Sequence, residues 1–287
     1  MNPDNSFRVR LAQIAPRLGD VKANMAMHLE VAHKAIEDGI DLLIFPELSL
    51  TGYYLRDLTS EVALPVNARE LRDIAEASQS IGIIVGMVEE SQDFGLFASG
   101  LYYERGKLAH LHRKIYLPTY GMFDEGRYLS PGRVLRAFDS RFGRMGLLVC
   151  EDVWHPILPS LLAQDGVRYL VVTANSPSRG ASAEGLTIQA TYRQMLATYA
   201  RLFQGYVLFC NRVGYEDGVN FWGGSFAVAP SGEIVASGPR LEQAFVDVEL
   251  VPAQVRRERI KAPLVEEENL DLALRELRRI ADERSRH

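Results

Sequence analysis

The sequence predicts an α/β protein, on three observations. A β-α-β run spans Arg8 to Glu47, with an alternating strand at Arg8–Ile14, a helix from Ala23 to Glu37 and an apolar strand at Asp41–Phe45. The order helix, apolar strand, polar end recurs from Ile157 to Asn175 and hints at an internal duplication. Of the 287 residues 47% are hydrophobic, enough for a sizeable layered core. No linker splits the chain, so residues 1–287 are expected to form one domain.

Each element has its own reason. Arg8–Ile14 alternates polar and apolar residues, as a half-buried strand does, until Gly19-Asp20 breaks it. Met25, Leu29, Ala32 and Ile36 then recur at helical spacing, and Gly39 stops that helix. Asp41–Phe45 reads as a fully buried strand ending at Pro46-Glu47. Ala68–Gln79 carries Leu71, Ile74, Ala75 and Ser78 on one helical face, and Ile81–Val88 is a buried strand. Phe97–Tyr103 and Lys107–Leu111 form a strand pair with Glu104-Arg105-Gly106 as the turn.

In the second half the apolar run Leu147–Val149 ends on Cys150, and Ile157–Ala163 is a short helix. Arg168–Asn175 is a buried strand, and Ser176–Gly180 is a polar loop at its end. A long helix is expected from about Glu184 to Phe203, then a strand at Tyr206–Cys210. Gly223–Pro230 and Gly232–Ala236 read as a hairpin, and Gln243–Val248 as an edge strand. Residues 252–287 read as a charged helical extension, with Leu270, Leu274, Leu277 and Ala281 at helical spacing. Glu266-Glu267-Glu268 near its start and Arg278-Arg279 near its end suit the helix dipole. A solvated amphipathic helix is the expectation there, and a subunit contact the alternative.

Composition excludes several classes. A net charge of −5 argues against a nucleic-acid partner. Two cysteines, both in apolar runs, make no disulfide framework and suggest a reducing compartment. The polar start Met1–Ser6 carries no signal pattern, and no apolar run reaches the length of a membrane span. A soluble, cytoplasmic protein with no membrane partner is expected.

Three strand ends concentrate the chemistry. Glu47 closes one apolar run, Lys114 lies where another gives way to Pro118, and Cys150 closes a third. Singly, each has a plain reading: a cap or surface acid, an exposed lysine, a core thiol. Together they suit one reaction, if one sheet edge gathers them. A neutral-pH thiol needs a base or a positive charge before it attacks, and a buried carboxylate is a base. A lysine adds fixed charge for the thiolate and the oxyanion. That set fits attack on an amide or nitrile carbon through a thioester. Cys210 has no such company and reads as core. His110 and His112 invite a metal reading, but no further ligand set with zinc spacing accompanies them.

The segments Phe45–Tyr53, His112–Pro118 and Gly146–Asp152 resemble the three signatures of the nitrilase, or carbon–nitrogen hydrolase, superfamily, and Gly224–Gly232 is similar to a fourth segment of it. The resemblance runs from about Arg8 to Val248. It implies a four-layer α-β-β-α sandwich, no metal or other cofactor, and assembly into dimers or larger homo-oligomers. It implies Glu47 as general base, Lys114 as oxyanion stabiliser and Cys150 as nucleophile. A second glutamate is implied too: Glu125, with Asp124 as the alternative.

Within the superfamily, Leu117–Glu125 and Cys150–Trp154 look most like the glutaminase domain of glutamine-dependent NAD synthetases. That likeness implies Tyr53, Tyr120, Phe123, Glu151 and Ser176 around a small-molecule amide, with Glu151 meeting its amino group. No Ser-Gly-Gly phosphate loop for ATP is present, so a separate ammonia-accepting synthetase is one expected partner and free-standing amidase action the other. A nitrilase, an N-carbamoyl amidase using Arg179 for a substrate carboxylate, and a non-catalytic scaffold on the same fold are the rival readings.

Overall fold

The computed structural model describes residues 6–182 and 185–285. The first half of the chain builds one sheet. β1 (Phe7–Gln13) leads into α1 (Val21–Glu37), whose first turn is capped by Asp20 accepting from the Ala23 N–H. The chain returns through β2 (Leu42–Ile44), parallel to β1. The short helices α2 (Thr59–Val62) and α3 (Arg72–Ala77) precede β3 (Gly82–Glu90), parallel to β2. β4 (Leu96–Glu104) and β5 (Lys107–Arg113) complete it as an antiparallel pair. Their hairpin turns on Arg105 and Gly106, at φ 53° and 77°, the left-handed pair that matches strand twist. α4 (Glu125–Tyr128) lies in the crossing to the second sheet.

That sheet starts with β6 (Phe138–Ser140) and β7 (Gly143–Val149). α5 (Ile157–Gln164) leads to β8 (Tyr169–Ala174). The two-residue strands β9 (Ala181–Ser182) and β10 (Gly185–Leu186) precede α6 (Thr187–Phe203) and β11 (Tyr206–Asn211). A side hairpin, β12 (Val213–Glu216) with β13 (Val219–Trp222), precedes β14 (Phe226–Val228) and β15 (Ile234–Ser237). β16 (Ala244–Leu250) crosses back to pair antiparallel with β1. The orders are β16-β1-β2-β3-β4-β5 and β15-β14-β11-β8-β7-β6, with β7, β8 and β11 parallel.

Strand period two sorts the apolar side chains into three layers of contact. Leu42 and Ile44 face the second sheet beside Leu147, Val171 and Leu208, while Leu43 and Phe45 face outward beside Ala32 and Ile74. Leu148, Val172 and Phe209 face the other way, toward Leu162 and Leu196 of α5 and α6. The result is the expected α-β-β-α sandwich. Cys210 lies in the layer between the sheets.

The structure corrects several expectations. β1 is not half-buried: one residue of it, Arg8, is exposed, because a sheet lies behind it and α1 in front. Arg10 is buried there because Asp247 takes its Nε and Nη2 at 2.8 and 2.7 Å and Asp38 approaches at 2.9 Å, which pairs its charge. The long helix starts at Thr187. Its expected start, Glu184, lies outside the described residues, as do residues 1–5 of the polar start. The β12–β13 hairpin had no forecast. The tail divides in two. α7 (Pro252–Lys261) docks, with Val255 in the core and its Glu258 carbonyl taken by Gln204. α8 (Leu270–Arg284) buries none of its residues. No described helix is long and apolar enough to cross a membrane.

Candidate active site

The three strand ends meet, but not on one sheet edge as expected. Glu47 and Lys114 follow β2 and β5 of the first sheet, and Cys150 follows β7 of the second. Glu47 leaves β2 on a turn whose next residue, Leu48, has φ 45°. That turn lies flat on β3 at Gly86, where a Cβ would come within 2.4 Å of Leu48 N and 2.8 Å of the Pro46 oxygen. Glu47 is buried, and its Oε2 accepts from the Asn175 N–H at 2.8 Å, just past β8. β8 pairs with β7 through Thr173 and Val149, the residue before Cys150. One carboxylate of the first sheet thus reaches the strand ends of the second.

Lys114 is fully buried, and its Nζ donates to Glu47 Oε1 at 2.8 Å and Glu125 Oε1 at 2.7 Å. Burial alone pulls this ammonium down, but Glu125 and Glu47 outweigh it and hold it well above its ordinary value. Glu125, not Asp124, is therefore the second carboxylate on the lysine. The same Glu125 oxygen accepts the Tyr53 hydroxyl at 2.6 Å. The Tyr53 loop is held by Glu216, whose Oε1 accepts the Tyr53 and Tyr54 amides at 2.8 and 2.7 Å and whose charge is paired with buried Arg212.

Glu125 is pushed up to about 7 from an ordinary 4.5, by burial first, against the pull of Lys114. A carboxyl raised on folding stabilises the fold below its unfolded pKa, and that stabilisation is lost as pH rises to the folded value. Unfolding free energies of the wild type and Glu125→Gln, measured in urea at pH 4.5 and 8, test this. The wild type should lose about 3 kcal/mol relative to the variant across that window. A gap that stays constant or moves the other way would refute it.

Cys150 opens a 3-10 turn, Cys150–Trp154, at φ 48°, a backbone cost of about 1–3 kcal/mol that the surroundings must hold. Asp152, fully buried, does the holding. Its Oδ2 accepts from Val149 N at 3.1 Å and His112 Nε2 at 2.8 Å, and its Oδ1 from Ile115 N and Tyr116 N at 2.9 and 3.0 Å. The thiol's turn and the lysine's strand end are so joined through one carboxylate. His112 is spent on this bond, and His110 stacks on Phe138 at 4.1 Å. Among the described residues no cluster of three or more His, Cys, Asp or Glu is placed to hold a metal. Cys150 keeps 8% of its surface open, whereas Cys210 keeps none. Burial and the Glu47 charge hold the Cys150 thiol well above its ordinary value, with Lys114 opposing them. The resting thiol therefore keeps its proton at neutral pH.

The remaining predicted residues fall into three places. Tyr120 is exposed, and its hydroxyl donates to the Glu151 carboxylate, 2.9 and 3.0 Å from the two oxygens. Phe123 stands edge-on to Tyr120 at 5.8 Å, with the Arg179 guanidinium 4.9 Å from its ring. Ser176 is buried, and its Oγ accepts from Trp222 Nε1 at 3.1 Å. Tyr53, Phe123 and Glu125 also line a cavity of about 370 Å³ with Leu48, Val88 and Leu129, and Cys150 is not part of its wall. Two contributors had no forecast. Asp152 stands inside the Cys150-Glu151-Asp152 stretch, so a buried acid beside a thiol was the available signal. Tyr192 of α6, 3.8 Å from the sulfur, falls on the packing face and leaves none.

A two-sheet α/β enzyme whose strand ends gather a thiol, two carboxylates and an ammonium defines the class. The chain belongs to the carbon-nitrogen hydrolase family, whose sequence model matches residues 8–260. It is 34% identical over 247 residues to a glutamine-dependent NAD(+) synthetase of Thermotoga maritima, covering 85% of this chain and 42% of that protein. It is 30% identical over 258 residues to an (R)-stereoselective amidase of a Pseudomonas species, covering 88% of each. A carbon-nitrogen hydrolase structure from Helicobacter pylori G27 superposes with a TM-score of 0.83 at 20% identity, over 94% of this chain and 97% of that one. The chain spans less than half the length of the synthetase it matches.

Proposed function

We propose that this hydrolase cleaves the side-chain amide of an amino-acid-like substrate, glutamine foremost, and releases ammonia through a Cys150 thioester. The observation that carries this reading is the Lys114 ammonium, 2.8 Å from Glu47 and 2.7 Å from Glu125, buried beside the Cys150 turn. Glu47 takes the thiol proton as sulfur bonds to the amide carbon, and Lys114 with the Glu151 N–H holds the oxyanion. The proton on Glu47 passes to the leaving nitrogen, the C–N bond breaks, and a thioester remains. Water then gives a proton to Glu47 as its oxygen bonds to the carbonyl carbon. The carboxylic product departs, and sulfur recovers its proton from Glu47.

Two charged side chains support a substrate with a charged head. Glu151 offers a carboxylate for an ammonium, and Arg179, over Phe123, offers a guanidinium for a carboxylate. Arg179→Ala should raise KM for glutamine about tenfold or more and leave kcat for a simple short amide unchanged, measured by ammonia release. Equal loss on both substrates would count against this. The wider screen sets glutamine beside short amides, carbamoyl amino acids and nitriles. Preference for a nitrile or a carbamoyl amino acid would replace the glutaminase reading.

Ammonia made here would feed a synthetase reaction, in keeping with the relatives named as glutamine-dependent NAD(+) synthetases. The cytoplasm suits the reaction, because Cys150 and Cys210 are both free thiols and a nucleophilic thiol works only while reduced.

A further inference from the structure

The mechanism above leaves one polar group beside the sulfur unused. Tyr192 is buried on α6, with its hydroxyl oxygen 3.8 Å from Cys150 Sγ. Its ring is fenced by Trp154 edge-on at 5.2 Å, Phe209 at 4.7 Å and Trp222 at 6.3 Å, so it has no room to swing away. The phenol oxygen also lies 3.0 Å from Trp154 Nε1. An indole N–H only donates, so Tyr192 accepts there. With one lone pair of the oxygen so taken, the phenol's own hydrogen is free to turn toward the sulfur. Burial keeps the phenol protonated, holding it well above its ordinary value.

We propose that Tyr192 is a further catalytic residue, whose O–H donates to the Cys150 sulfur when that sulfur carries negative charge. The charge develops twice. It appears first as Glu47 removes the thiol proton, and again as the thioester C–S bond breaks and the electron pair returns to sulfur. Tyr192 keeps its proton throughout, so the proton balance of the cycle is unchanged. A bond to a neutral thiol is weak and one to a thiolate strong, so the gain falls on the charged states and accelerates both steps. This rests on Cys150 being the nucleophile.

The test is Tyr192→Phe in the full chain, which keeps the ring and removes the hydrogen bond. Iodoacetamide alkylation of Cys150 is followed against pH, with Cys210 as internal control and ammonia release from glutamine in parallel. The expected result is an alkylation midpoint about one pH unit higher and kcat about tenfold lower at unchanged KM. An unmoved midpoint overturns the proposal, even if activity or thermal stability falls, because a packing role alone would leave the thiol's acidity as it was. If Tyr192→Phe does not fold, Trp154→Phe is read in its place. Freeing the phenol from its fixed direction should raise the midpoint by a smaller amount, and no rise overturns the proposal. Cys150→Ala separates the two layers of inference. Retained ammonia release there removes the nucleophile reading itself, whereas full loss there with an unmoved midpoint in Tyr192→Phe removes the tyrosine alone.

Discussion

Cys150→Ala is expected to abolish ammonia release, by about 10⁴-fold or more, while the chain still folds. Cys150 is the thiol at the end of β7, in a strained turn, where it feels the charges of Glu47 and Lys114. Cys210, the other thiol, is sealed between the sheets with its Sγ near the Ile44 and Ala12 carbonyls, at 3.3 and 3.7 Å. Alanine tolerates φ 48° no worse than cysteine does, so the turn, held by Asp152, should persist. Loss of a buried sulfur costs on the order of 1–2 kcal/mol in packing. Ammonia assays and thermal melts on the same preparation check both halves. Appreciable turnover would exclude the nucleophile assignment, and collapse of the fold would show that Asp152 does not hold the turn unaided.

Lys114→Ala should have the larger effect on stability. The ammonium is fully buried between two buried carboxylates, and removing it leaves Glu47 and Glu125 without their counter-ion. Breaking such a pair from one side costs about 3–5 kcal/mol, and here two carboxylates share the loss. Denaturant unfolding at pH 8 should show that loss, together with no measurable ammonia release. Part of the stability should return at pH 5. Glu125 is already raised to about 7, so it accepts a proton first and removes one of the two opposed charges. A variant as stable as the wild type at pH 8 would mean that the buried trio is not the electrostatic unit described here. Glutamine turnover in the variant would remove Lys114 from the mechanism.

Much of the site was legible because burial is costly for polar groups. Glu47, Lys114 and Cys150 each end an apolar run, and a chain that carries an acid and an amine to such places must pair or use them. Which sheet each run joins was not legible. Strand periodicity reports which faces are covered, not which strands pair, so one edge was expected where two sheets contribute. Arg10 misled for a related reason. Its partners, Asp38 and Asp247, lie 28 and 237 residues away, and only the fold brings them to it. Asp152 and Tyr192 hid differently. The first acts through backbone amides, which have no sequence identity to read. The second shares its helical face with Ile188 and Leu196, where an aromatic residue looks like ordinary packing.

The origin of the chemical groups on both halves of the sandwich has a consequence for how the enzyme fails. Neither half owns the complete set: one brings the Glu47 carboxylate and the Lys114 ammonium, the other the Cys150 sulfur. On the proposed mechanism a partly folded species with a single half intact lacks part of that set, whatever secondary structure it retains. If Glu47, Lys114 and Cys150 act as proposed, activity lost on heating or in denaturant is expected to track the parting of the halves rather than the melting of any one helix.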